Sequence, residues 1–393
     1  MGDIETADEP TERFSLVAGG PFDEVLGRLG LLDADGFPKR YTGGLLAVAA
    51  WLLPATLVGA QAFAEDRVAG WAFFTDFTVY ARFIAAIWAM LATERYADRR
   101  FVLLTRAFRE AKILTEDLPA LDEALVVADR RTGSRIAEAV VLMIALVASG
   151  ATTSYAVSIA GVSWEGVVVD GGVVLSWAGN AARFVSNPLF LFLVLRWLWR
   201  FFVWAVLLYR ISWLRLHLTP LHPDGSGGLG FLAIYPSIFS GFVFALSCVI
   251  SSSFLKDLAM QPRAPETVWI AIGVWVALCL VFFIGPLLVF VRPLYFAREG
   301  AILEYGRLAS QHHLAFDLKW SARDGEDLLG STDPSSTSDL NAGVESAFEM
   351  RVVPVDRIAV IQLVASAGIP LLAVVGRQVS LAEIVKWIVG GIV

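Results

Sequence analysis

The chain has 393 residues, 56% of them hydrophobic and 18% charged, with 13 Trp, 26 Phe and a net charge of −7. That balance leaves too little polar surface to cover a soluble globule, and no dense basic patch marks nucleic acid as a partner. Its two cysteines, Cys248 and Cys279, both lie inside apolar runs, which argues against a disulfide framework, a metal site or a redox motif.

The apolar residues gather in runs of about 20, the length that crosses a hydrocarbon core. The expected fold is therefore all-α, a polytopic transmembrane bundle. Residues 1–40 read as an acidic N-terminal segment. Within it, 4–12 has the Asp, Glu, Thr and Pro content of a disordered tail, and 22–32 has the spacing of a short helix on the membrane surface. Polar and acidic up to Pro38, this end does not fit a cleavable signal peptide. The bundle is expected over 41–292. Its first span covers about 43–63, and its second about 71–93, carrying Asp76 and Arg82. A basic insert follows over 94–135, with Phe101, Leu104, Phe108 and Leu114 on one helical stripe and Pro119 breaking it. It reads as two amphipathic helices outside the membrane, the first continuing the second span.

The third span is expected over about 136–160. Residues 161–187 form a Gly- and Val-rich connection in which Trp164-Glu165-Gly166 and Asp170-Gly171-Gly172 mark turns around a small hairpin. Asn187-Pro188 opens the fourth span, which runs to Leu216. The fifth covers about 229–252 with Pro236 as a kink, and the sixth about 267–291. Residues 293–357 read as a cytosolic helix (293–320) followed by a Gly/Ser/Thr/Asp-rich linker (321–341). In the C-terminal hydrophobic segment, 358–393, the run 358–375 is either a seventh span or a re-entrant segment. A short apolar tail, 381–393, ends the chain. The segments 1–42, 93–135, 210–228 and 292–357 hold 22 Lys and Arg, against 4 in the opposite loops. By the positive-inside rule the N-terminus and the loop after the fourth span are expected in the cytoplasm.

Two features carry possible chemistry. Arg196 and Arg200 share one face of the fourth span, with Arg210 about 40° to the other side of Arg196 and His217 close by. Each arginine at depth costs roughly 2.5–3.5 kcal/mol and must face protein or water. With Arg82, three arginines stand against one acid, Asp76, in the same spans. This reads either as an anion path or as structural glue made with Asp76 and free carbonyls. Asp76 is expected to pair with Arg196 or Arg82. The second feature is the loop His222-Pro223-Asp224-Gly225-Ser226-Gly227-Gly228-Leu229-Gly230-Phe231. Gly225, Gly227 and Gly230 satisfy G-x-G-x-x-G, but no strand precedes them, so the dinucleotide fingerprint is rejected. What remains is either a set of free N–H groups turned to an anion or a tight turn capped by Asp224. His312-His313 with Asp317, and His222 with Asp224, could suggest metal ligands, but adjacent histidines point apart on a helix, so His312-His313 is a poor chelate and a structural or exposed role is expected.

The stretch Leu221 to Leu232 resembles a loop found in a family of bacterial polytopic membrane proteins without an assigned activity. Asp339-Leu340, Phe348-Glu349, Arg351, Val353-Pro354, Asp356 and Gln362-Leu363 are similar to that family as well. The resemblance implies a bacterial cytoplasmic membrane and no catalytic residues. Three function classes follow. The first is a channel or transporter for an anion or anionic solute, using the arginine stripe. The second is a membrane-embedded enzyme or lipid-headgroup-binding protein, using the glycine loop. The third is a structural or signalling subunit. The expected partners are the lipid bilayer and a small anion or anionic headgroup, with a homo-oligomer left open and no cofactor.

Overall fold

The computed structural model describes residues 15–17, 19–65, 68–111, 113–114, 116–260, 265–321 and 332–378. The tail 4–12 and the C-terminal run 381–393 lie outside them. The protein is an all-α polytopic bundle, as its apolar runs require. Among the described residues, seven helices are long and apolar enough to cross a membrane: Thr42–Ala64, Phe77–Glu110, Arg135–Ala160, Trp177–Ile211, Gly230–Ala259, Glu266–Ser321 and Arg357–Arg377. They are called the first to seventh spans below. Outside them lie α1 (Pro21–Arg28) and α2 (Leu118–Thr132).

The second span is one continuous helix into the basic insert. Its C-terminal half buries Phe101, Leu104 and Phe108 of the stripe read from the sequence; the fourth member, Leu114, is buried too but lies past the helix end at Glu110. Pro119 sits in the first turn of α2, where its missing N–H costs nothing. Trp199 Nε1 on the fourth span donates to the Arg131 carbonyl at the end of α2 (3.1 Å), tying the insert down.

The fourth span starts earlier than Pro188. Ser176 caps it, its Oγ accepting from the Gly179 N–H at 2.8 Å. The helix then passes through a wide π turn, Ala182–Ser186, into Asn187–Ile211. Proline removes one helical hydrogen bond and crowds the preceding turn, so a wide turn immediately before Pro188 lets the helix run through it. The helix ends at Ile211, short of the expected Leu216. A second π turn, Tyr80–Ala86, interrupts the second span.

The expected hairpin between the third and fourth spans is present. Strand β1 (Gly166–Val169) pairs antiparallel with β2 (Gly172–Leu175). Asp170 and Gly171 turn it with φ of 49° and 77°, the left-handed pair that a two-residue hairpin needs. This hairpin lies against the start of the fourth span so closely that a Cβ at Gly179 would fall 1.9 Å from the Glu165 carbonyl oxygen.

The fifth span is broken near Pro236 as expected. A 3-10 turn (Gly230–Ile234) and a short helical turn (Tyr235–Ile238) precede Ser240–Met260. It crosses the second span at Gly241, where Thr93 leaves no room for a side chain. An aromatic core fills the space between the fourth, fifth and sixth spans. Phe201 stacks on Phe282 at 4.2 Å, Phe239 on Phe283 at 5.0 Å and Trp197 on Phe242 at 5.8 Å.

The C-terminal half departs from expectation in one place. The stretch 321–341 is not all linker: 322–331 lie outside the described residues, but Asp333–Glu349 is a helix, α4, packed along α3 (Val291–Ser321). Pro334 and Asp333 suit a helix start, and Trp320 Nε1 holds Asp333 at 3.1 Å while His312 meets Thr337 at 2.9 Å. Packing on α3 overrides a composition that reads as loop. Arg357–Arg377 has the length and apolarity of a seventh span, with a 3-10 turn at Ile369–Leu371. Ser251 of the fifth span donates to the Pro370 carbonyl in that turn at 2.6 Å.

Gly179→Ala should displace the hairpin, because the Glu165 backbone has no room to yield. The expected loss is about 1–3 kcal/mol, typical of overpacking. Thermal unfolding in detergent, with hydrogen exchange at Val168 and Val174, measures it; unchanged protection at both amides would contradict this packing.

Candidate functional site

Arg196 and Arg200 of the fourth span are not surplus charge. Arg196 makes three ion pairs: Nη2 to Asp23 at 2.7 Å, Nη1 to Glu94 at 3.0 Å and Nε to Glu138 at 3.2 Å. Arg200 shares the same Glu94 oxygen at 2.8 Å and donates to the Val17 carbonyl. Phe22 lies over the Arg196 guanidinium, 4.9 Å from its ring centroid. The Phe22 N–H donates to the second Glu138 oxygen at 2.9 Å, and Ser15 donates to Asp98. Arg196, Arg200 and Glu94 are at most 3% exposed.

The segment at 22–32 is therefore tied into the bundle by these contacts. Its helix, α1, docks into the bundle with Leu16, Val17 and Leu26 buried beside the cluster. Burial pushes the Asp23 carboxyl above its ordinary value more than Arg196 pulls it down, and Glu94 adds to the push.

This overturns the count of three arginines to one acid. The neutralising carboxylates come from the middle of the second span, the start of the third and the N-terminal segment. Arg210 is exposed in the last turn of its helix and takes no part. His217 is exposed too; its backbone N–H donates to Ile113.

Asp76 pairs with neither Arg196 nor Arg82. It is the N-cap of the second span rather than a residue within it. Its Oδ1 accepts from the Thr78 N–H at 3.0 Å and the Thr78 hydroxyl at 2.6 Å, and its Oδ2 takes Lys256 at 2.7 Å and Trp164 Nε1 at 3.2 Å. Burial works against the charge, but Lys256 and Thr78 outweigh it and hold the carboxyl below its ordinary value. A lysine near the end of the fifth span and an indole beside the hairpin give no periodic signal in the sequence.

The glycine loop is closed on its own aspartate. Asp224 accepts from the N–H groups of Ser226 (2.8 Å), Gly228 (3.1 Å) and Gly230 (2.7 Å). His222 Nδ1 approaches the same carboxylate at 3.0 Å. Gly225, Gly227 and Gly228 all have positive φ, and at Gly230 the Asp224 side chain occupies the place of a Cβ. Arg351 clamps the turn from the start of the last segment, its Nη2 donating to the Asp224 carbonyl at 2.7 Å and its N–H to Gly225 at 2.8 Å. Three N–H groups that an anion would use here are thus taken by Asp224, so the capped turn is the reading that fits.

Those three backbone hydrogen bonds outweigh partial burial and hold the Asp224 carboxyl below its ordinary value.

The opposite end of the bundle is different. A cavity of about 280 Å³ opens among the second, third, fourth and fifth spans, lined by Asp76, Arg82, Thr153, Glu165, Asn187 and Lys256 among others. Arg82 sits in the π turn of the second span. Its Nη1 donates to Asn187 Oδ1 at 2.9 Å, and Asn187 Nδ2 in turn donates to Thr153 Oγ1 at 3.2 Å. Among the described residues no carboxylate lies within ion-pair distance of Arg82. Asn187 directly follows the π turn of the fourth span. Both wide turns therefore border the same cavity, where such turns often mark functional sites. Of the arginines singled out from the sequence, Arg82 alone faces this space. Lys256, Glu165 and Asn187 were not singled out.

No protein-family model, no curated protein and no solved structure matches the chain.

Arg196→Gln should strip the compensation from Asp23 and Glu138 and cost about 3–5 kcal/mol, as breaking a buried pair does. Thermal unfolding in detergent should show a large loss, while the exposed Arg210→Gln stays within about 0.5 kcal/mol. Equal stability of both variants would count against the cluster.

Asp224→Ala should also destabilise the protein. Because the folded pKa is depressed, this contribution is complete above the unfolded value of about 3.9 and fades as pH falls through the lower folded value. The difference between wild type and Asp224→Ala should therefore shrink with acidification below about pH 4, as followed by unfolding at stepped pH. A difference that grows instead would refute the capping role.

Proposed function

We propose that the protein binds a small anionic solute in the cavity beside Arg82 and carries it across the membrane. The observation that supports this is the contrast between the arginines. Arg196 and Arg200 are neutralised by carboxylates in direct ion pairs, whereas Arg82 is positioned by a neutral amide at a polar cavity with no carboxylate within ion-pair distance among the described residues. A guanidinium offers five donors in a fixed fork that matches an oxyanion, and Arg82 spends one on Asn187. Lys256 is engaged by Asp76, so that pair adds polarity without net charge. A cavity of about 280 Å³ lies at the small end of ligand sites, which suits a solute of few heavy atoms.

The transport part of this reading rests on the wide turns. Both helices that present Arg82 and Asn187 depart from regular geometry at the cavity wall. Cytoplasmic placement of the N-terminus, supported by the charge asymmetry, turns the cavity toward the opposite side. The resemblance of the loop at 221–232 supports a bacterial cytoplasmic membrane.

The test is anion flux by the full chain in liposomes, with chloride, nitrate, sulfate, acetate and methanesulfonate as probes. Arg82→Gln should lose at least about tenfold of the flux, worth 1.36 kcal/mol, and Arg82→Lys should retain part because a point charge remains. Arg210→Gln should match wild type. Flux unaltered in Arg82→Gln, or none above empty liposomes with any of the five anions, would overturn the proposal.

A further inference from the structure

We propose that Glu165 is the proton-accepting group of this cavity, so that one proton binds together with each anion. The inference rests on the anion-binding reading above and adds its coupling ion.

Glu165 stands at the base of β1, held over the cavity by the hairpin. Its carbonyl accepts from Ser176 at 2.9 Å and presses on Gly179. The residue is only 8% exposed and lines the cavity. Among the described residues its carboxyl has no hydrogen bond and no ion pair. A buried carboxyl without partners favours its neutral form.

The charged groups around it are Arg82 from the second span, Lys256 from the fifth and Asp76 between them. The third span and the start of the fourth contribute the neutral Thr152, Thr153 and Asn187. Lys256 is bound to Asp76, so Arg82 is the cation least committed elsewhere. Burial pushes the Glu165 carboxyl above its ordinary value; Arg82 and Lys256 pull it down, and Asp76 pushes with burial. The net direction is upward.

An empty cavity therefore has Arg82 available to stabilise an ionised Glu165. An anion on Arg82 removes that help and adds a second negative charge nearby. The carboxylate then takes up a proton, forming an O–H bond with a proton from solvent, and the anion binds more tightly for it. The linkage has a definite sign. Anion affinity is highest where Glu165 is already protonated, and it falls as pH rises. The fall is about tenfold per pH unit between the pKa values of the empty and the loaded cavity, the slope of a single linked proton. Above both values it is flat. Cotransport of an anion with a proton follows from the same equilibrium.

The experiment uses the purified full chain in detergent, with methanesulfonate as probe because it stays ionised throughout. Calorimetric titration across pH should show tighter binding at lower pH in wild type. Glu165→Gln should bind at every pH with the affinity that wild type reaches at low pH, and Arg82→Gln should bind about tenfold more weakly or not at all. In weakly buffered solution wild type should take up about one proton per methanesulfonate bound within the sloping range, a readout that needs no variant. Infrared spectra should show a protonated-carboxyl C=O band that rises on binding and is missing from Glu165→Gln.

Binding that depends on Arg82 but is independent of pH, or keeps its pH dependence in Glu165→Gln, overturns the proton role and leaves the anion site standing. No binding of methanesulfonate at any pH removes this inference together with the site for that anion. A carboxyl band unchanged by Glu165→Gln overturns the proton role whatever the binding shows.

Discussion

The cluster of Arg196 and Arg200 with Glu94, Glu138 and Asp23 is the constraint on which the rest of the bundle depends. Two guanidinium groups in the interior cannot be left without carboxylates, and the carboxylates cannot be left without them. The five residues come from the second, third and fourth spans and from α1. Meeting all the distances at once fixes the rotation and depth of three membrane helices against one another. It also fixes the N-terminal segment, since Arg200 and Arg196 hold the carbonyls of Val17 and Gly19 as well as the Asp23 carboxylate. Such a cluster adds little net stability over apolar packing, but it tolerates only one arrangement. That intolerance makes it a register pin.

The two ends of the bundle then divide the work. At one end the polar groups satisfy each other: Asp224 closes the glycine loop on itself, and Arg351 seals it from outside. At the other end lie a capped helix start at Asp76, a hairpin and two wide turns. There, Asp76 with Lys256 and Arg82 with Asn187 and Thr153 are bonded to each other yet still border open space. Irregular backbone in a membrane protein is tolerated where it lines protein or water, not lipid. Its concentration around Arg82, Asn187 and Glu165 is what supports placing the proposed site at this end and not at the glycine loop.

Much of the architecture was legible because it is local. Apolar runs announce spans, Asp170-Gly171 announces a hairpin, and Phe101, Leu104 and Phe108 announce a buried stripe. The ion cluster was not legible, although all its members are visible in the sequence. Glu94 and Glu138 sit at the edges of their apolar windows and read as flanking loop charge. Asp23 lies 173 residues from its partner, in a segment whose acidity reads as tail. Counting charge within spans therefore gave an excess of arginine that the folded chain does not have. Glu165 was hidden the same way, inside a Trp-Glu-Gly piece that reads as a turn. The α4 helix was missed because Ser335, Ser336, Thr337 and Ser338 have loop preferences that only packing against α3 reverses.

The wide turn in the fourth span resolves a conflict that a regular helix could not. The start of that helix is fixed from outside, by the Ser176 cap and by the Glu165 backbone lying on Gly179. Its inner half is fixed by Arg196 and Arg200 on Glu94. In a straight α-helix the angle between Gly179 and Arg196 follows from their spacing at about 100° per residue, and nothing obliges that angle to suit both contacts. A π turn takes up one additional residue, which rotates everything beyond it by about 100°. Placed at Ala182–Ser186, it lets the hairpin contact and the ion cluster both be met on one helix. Asn187, the first residue after the turn, is thereby aimed at Arg82. The residue that positions the cavity's free charge is thus set by the same adjustment that lets the buried charges pair.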